Sequence, residues 1–65
     1  MTYFEGKNFE FDIGTRVEKF TGDYQVQGIV CGYAVTSRGL GRYIVEIFPG
    51  LLYIYSLAQL RLVSK

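Results

Sequence analysis

Tyr43-Ile44-Val45-Glu46-Ile47-Phe48-Pro49-Gly50-Leu51-Leu52-Tyr53-Ile54-Tyr55 is the stretch whose reading decides the fold, and Glu46 is its one charged residue. Pro presets φ and Gly tolerates the positive φ that follows, so Pro49-Gly50 predicts a tight turn joining two strands. A half-buried strand alternates polar and apolar residues because successive side chains point to opposite faces. Here both faces are apolar. One can line a core, and little else in so short a chain covers the other. The surplus is either aromatic core plus ordinary surface apolarity, or an outer face of Leu51, Tyr53 and Tyr55 that binds a second copy of the chain, a ligand, or both.

Working outward, Gly14 precedes a first strand expected over Thr15–Phe20, with Val17 inward and Arg16 and Glu18 outward. Thr21-Gly22-Asp23 is a loop signal. A long strand follows over Val26–Thr36, rich in β-branched residues and interrupted by Gly28 and Gly32, where a bend, bulge or close backbone approach is expected. Ser37–Arg42 reads as a flexible connection into the Pro49-Gly50 hairpin. Ser56–Leu60 is long enough only for a single helical turn, 3₁₀ or α, and Arg61-Leu62-Val63 closes as a last strand. The class is therefore all-β: a small five-stranded SH3-like barrel over residues 13–65 with a short 3₁₀ turn before the last strand. An OB-like barrel fits the strand count, and that turn tips the choice. Residues 1–12 mix Tyr3, Phe4, Phe9 and Phe11 with Glu5, Glu10 and Asp12 without clear periodicity, and read as a weakly ordered N-terminal arm.

A chain of 65 residues is near the lower limit for a self-sufficient core. A single Cys31 excludes an intrachain disulfide, and with no His a structural zinc site is not expected. Self-association is the remaining supplement. There is no 18-residue apolar run and no hydrophobic signal region, so a soluble, cytoplasmic setting with no membrane partner is the default expectation. A formal net charge of +1 argues against a dedicated nucleic-acid binder, although the aromatics would suit base stacking.

Enzyme chemistry is sparse. Without His there is no Ser-His or Cys-His pair and no side chain poised near neutrality as a base. Four of the six carboxylates, Glu5, Glu10, Asp12 and Asp23, fall in the arm or a loop. Glu46 is expected on the solvent side or paired with an Arg, because an unpaired buried carboxylate is costly. Cys31, mid-strand, reads as a small core hydrophobe, and Gly39-Leu40-Gly41 is too short for a phosphate loop. Any catalysis must work by positioning and electrostatics.

Gly14-x-Arg16-Val17-x-Lys19, Gln27-Gly28-x-Val30-x-Gly32-Tyr33, Tyr43-x-Val45-Glu46, Pro49-Gly50 and Ile54-Tyr55-x-x-Ala58-x-Leu60 together resemble the plasmid-borne type II dihydrofolate reductases, short SH3-like barrels often carried on integron cassettes. The likeness runs colinearly from Gly14 to Val63. It implies a homo-oligomer, a ring of four barrels around one pore in which NADPH and dihydrofolate stack and hydride passes directly. A Val-Gln-Ile-Tyr strand segment would line the pore, and a Lys at the end of the first strand would attract the ligands' negative charges.

On that resemblance the ligand-binding positions are Lys19, Leu51, Tyr53, Ile54 and Tyr55, with no catalytic acid or base. By residue type alone, Lys19 is a solvated strand-end lysine, Tyr53 and Tyr55 are packing or interface aromatics, and Ile54 is core. The chain departs from the family in its segment Leu52-Tyr53-Ile54-Tyr55, where Tyr53 stands for the Gln that bonds both ligands, and Leu51 stands for a small polar residue. The loop before Pro49-Gly50 is shorter and lacks the family's interface His. The sequence thus predicts a self-associating barrel, dimer or tetramer, that binds a planar or anionic small ligand or a partner on its aromatic strand with little or no reductase activity. The alternative is an active NADPH-dependent, trimethoprim-insensitive reductase.

Overall fold

The computed structural model describes residues 2–63, and these are all-β apart from one 3₁₀ turn. Strands β1 (Thr2–Phe4) and β2 (Lys7–Phe9) form a two-stranded hairpin. Strands β3 (Arg16–Lys19), β4 (Val26–Val35), β5 (Gly41–Phe48), β6 (Leu51–Tyr55) and β7 (Leu60–Leu62) form an antiparallel sheet in the order β6-β5-β4-β3-β7. The 3₁₀ turn, Leu57–Gln59, stands directly before β7, as expected.

β6 and β7 are the two edges of that sheet, yet only Ser56 and the 3₁₀ turn separate them in sequence. A flat sheet of five strands would hold its edges about 19 Å apart, at about 4.8 Å per spacing. Five residue steps with three wound as 3₁₀ reach only about 13 Å. The sheet must therefore curl, bringing its edges toward each other at that end. The Gln59 side chain fastens the turn by accepting from the Ser56 amide at 3.0 Å, and Phe20 N–H donates to the Gln59 carbonyl at 3.0 Å.

Gly28 permits the sharpest part of the curl. A Cβ on it would lie 2.6 Å from a Val45 methyl and 2.7 Å from the Glu46 carbonyl oxygen. Only a glycine lets β5 cross β4 this closely. Two bulges assist, one between Val30 and Gly32 and one between Glu46 and Phe48. The first corrects an expectation: the extra residue it leaves is Cys31, which is exposed rather than core.

The core is Val17, Val30, Val45 and Leu60 from the sheet, the tyrosines 33, 43 and 55, and Phe9 and Phe11. The last two come from the segment expected as an arm outside the barrel. Glu5 and Gly6, both at positive φ, close the β1–β2 hairpin, and the chain beyond it then crosses the tyrosine cluster. Phe9 stacks on Tyr33 with ring centroids 4.4 Å apart. The Tyr33 hydroxyl donates to the Phe11 carbonyl at 2.8 Å, and the Tyr43 oxygen accepts from the Glu10 amide at 2.7 Å. Core side chains thus satisfy backbone groups that have no strand partner.

Candidate functional site: the β6 edge and the Lys19 loop

Gly50 has φ +84°, and Pro49 is confined to negative φ, so the turn between β5 and β6 is type II. Type II turns splay a two-residue hairpin, and the adjacent bulge restores the twist. Glu46 lies half-buried on the outer face, and its carboxylate accepts from the Gly50 amide at 3.0 Å. It fastens the turn and has no Arg partner among the described residues.

β6 emerges from this turn nearly bare. Its register with β5 sets Tyr55 opposite Tyr43 and Tyr53 opposite Val45, both buried, so Leu51, Tyr53 and Tyr55 share the face turned to the core and not the outer face expected of them. Tyr55 is buried, while Leu51 and Tyr53 overhang the edge, each 40% exposed. The outer face carries Leu52 and Ile54, 52% and 62% exposed, beside half-buried Ile44. This corrects the expectation for Ile54: as the neighbour of buried Tyr55 it points outward, and it is not covered by any of the described residues. No backbone hydrogen bond reaches β6 from its far side among the described residues.

Lys19 is far from a solvated strand-end lysine. It follows Val17 on the inward face of β3 and is 5% exposed. Its ammonium donates to the Thr21 carbonyl and, at 3.2 Å, to the Tyr24 carbonyl, with the Tyr24 ring centroid at 4.0 Å. The loop after β3 is wrapped around this cation. The Tyr24 hydroxyl lies 3.1 Å from that of Tyr55, so Tyr24 joins Lys19 to the end of β6. Lys19 and Tyr55 therefore come together through Tyr24, whereas Leu51, Tyr53 and Ile54 lie along the open edge. Tyr24 was not foreseen. Its sole signal was an aromatic residue in the loop after Lys19.

Lys19→Met keeps the aliphatic stem and removes the donor from two loop carbonyls. We expect it to lower the unfolding free energy by about 1–3 kcal/mol, the usual range for a charge-assisted bond and its stranded partners. Urea titration reads this directly. A variant as stable as the parent would mean that the ammonium does not hold the loop.

Burial, and then the hydrogen bond with Tyr24, push the Tyr55 phenol up from its ordinary value of 10.0. The native state holds this proton more tightly than the unfolded chain does. The associated stability is complete below pH 10 and is lost as pH rises through 10 toward the native pKa. Unfolding free energy should fall from about pH 10 upward by up to about 1.4 kcal/mol per pH unit from this group, and Tyr55→Phe should flatten that slope. Equal slopes in the two chains would refute the assignment.

An open cleft of about 160 Å³ lies on the outer face, lined by Arg16, Gln27, Gly28, Ile29, Glu46 and Ile47. Among the described residues, no group of three or more His, Cys, Asp or Glu is placed to hold a metal ion, and no helix is long and apolar enough to cross a membrane. No protein-family model, curated protein or solved structure matches the chain.

Proposed function

We propose that the chain is a small SH3-like barrel that associates with copies of itself through β6 and presents the aromatic strand as a binding face for a small planar or anionic ligand or a partner. The observation that carries this is the exposure of Leu51, Leu52, Tyr53 and Ile54 on β6, which lies within a stretch, Ile47 to Leu60, that has no charged residue. Small soluble domains rarely leave so much contiguous apolar surface in water. Covering about 400 Å² of it per chain, at about 25 cal/mol per Å², is worth on the order of 10 kcal/mol before the costs of association.

The five-strand order, the curl and the 3₁₀ turn before β7 support the barrel reading. The resemblance to type II dihydrofolate reductases supports a planar ligand, but Tyr53 argues against turnover. Gln offers a donor and an acceptor to two ligands, whereas Tyr offers one hydroxyl on a wide ring. Hydride transfer needs the reacting rings held in contact, and about 1 Å of displacement can cost about a hundredfold. NADPH is thus a candidate ligand without being an efficient reductant here.

Light scattering at micromolar concentration, run beside NADPH oxidation with dihydrofolate, tests the reading. A dimer or tetramer with oxidation at or near background is expected. The mass of a single chain would overturn the self-association, and robust, trimethoprim-insensitive turnover would replace the binding module with a reductase.

A further inference from the structure

The two edges of the five-stranded sheet are built differently. β7 is three residues long and carries Arg61, which bonds Glu18 at 3.1 Å across the strands. Short length and a charged side chain are the usual ways an edge is kept from pairing with another chain. β6 is five residues long, with no charge, no proline and no bulge within it. In an antiparallel ladder, alternate residues turn both backbone groups away from the neighbouring strand, so half of the β6 positions hold an N–H and a C=O free for a new partner.

We propose that the partner of this edge is β6 of a second copy, paired antiparallel about a two-fold axis at Tyr53; this rests on the self-association reading above and specifies its geometry. An antiparallel pair of identical strands sets one residue opposite itself. Centring on Tyr53 is the register that pairs all five residues, with Tyr53 facing its own copy, Leu52 facing Ile54 and Leu51 facing Tyr55. Each cross-strand pair is then apolar or aromatic on both sides, and no like charges meet, which is the composition that stabilises such pairs. The outer faces join into one apolar stripe in which Leu52 and Ile54 of each copy cover one another. A second copy fits this edge better than a charged peptide does, because the edge offers a visiting chain no charge to read.

Cysteine cross-linking in a Cys31→Ser background tests the register. Directly opposed residues have Cα atoms about 4.5–5.5 Å apart, within disulfide reach. Tyr53→Cys should therefore cross-link to itself on mild oxidation. Leu52→Cys and Ile54→Cys should each stay uncross-linked alone, because the two copies of either site lie about 8 Å apart, beyond the roughly 7 Å limit. Mixing those two variants should give the heterodisulfide. The sites are exposed, and the Leu52/Ile54 pair reads the register independently should Tyr53→Cys fail to fold.

A chain that light scattering finds oligomeric, but in which neither cross-link forms, overturns the Tyr53 axis and leaves self-association standing. Strong cross-linking of Leu52→Cys to itself would move the axis to Leu52 and overturn the register. Monomers with no cross-link overturn both.

Discussion

Phe9→Ala is expected to remove a large share of the chain's folding stability. The ring is 3% exposed, stacks on Tyr33, meets Tyr43 edge-on at 5.3 Å, and fills the space that Gly41 opens by lacking a Cβ. Truncating a buried Phe to Ala costs about 3–5 kcal/mol, from lost transfer free energy and the cavity left behind. A domain of 65 residues holds only about 3–10 kcal/mol in total. Circular dichroism against urea would read the loss, with exposed Tyr3→Ala as the unaffected comparison. An unchanged midpoint in Phe9→Ala would put residues 2–12 outside the cooperative unit, as an arm.

Gly28→Ala should be nearly as damaging, through one added methyl. Overpacking a tight site costs about 1–3 kcal/mol and occasionally more, and we expect about 3 here. One neighbour is the Glu46 carbonyl, part of a strand that cannot rotate aside as a side chain can. Gly32→Ala is the internal control, because a Cβ there meets only Ile44 carbons, at 3.5 and 3.8 Å. It should change stability by less than about 1 kcal/mol, and an alanine that fits can even stabilise by restricting the unfolded chain. Equal stability of the two variants would mean that β5 does not press on Gly28.

What could be read in advance was what local chemistry dictates. Pro49-Gly50 announced its own turn and the apolar strands on either side, β-branched residues announced β4, and Ser56–Leu60 was too short for anything but a single turn, although Gly41 and Arg42 belong to β5 and not to the connection expected over Ser37–Arg42. The hairpin at Glu5-Gly6 was hidden because Tyr3, Phe4, Phe9 and Phe11 show no alternation. Phe9 is buried by Gly41, Tyr33 and Tyr43, which reach it only once the sheet has curled. Lys19 was misjudged for a related reason. A lysine can be buried when carbonyls and a ring close over it, and those come from how the following loop folds. Ile54 was misplaced because both faces of β6 are apolar, so the sequence does not show which parity turns to the core.

The unequal edges bear on how large an assembly can become. A sheet with two adhesive margins can add chains without limit, which is the geometry of a fibre. Here one margin is apolar and open while the other is short and carries the Arg61–Glu18 pair. Joining two β6 strands consumes the adhesive margin of both chains and leaves only guarded ends. Growth along the sheet then stops at a pair, and any larger ring must be assembled through a different surface.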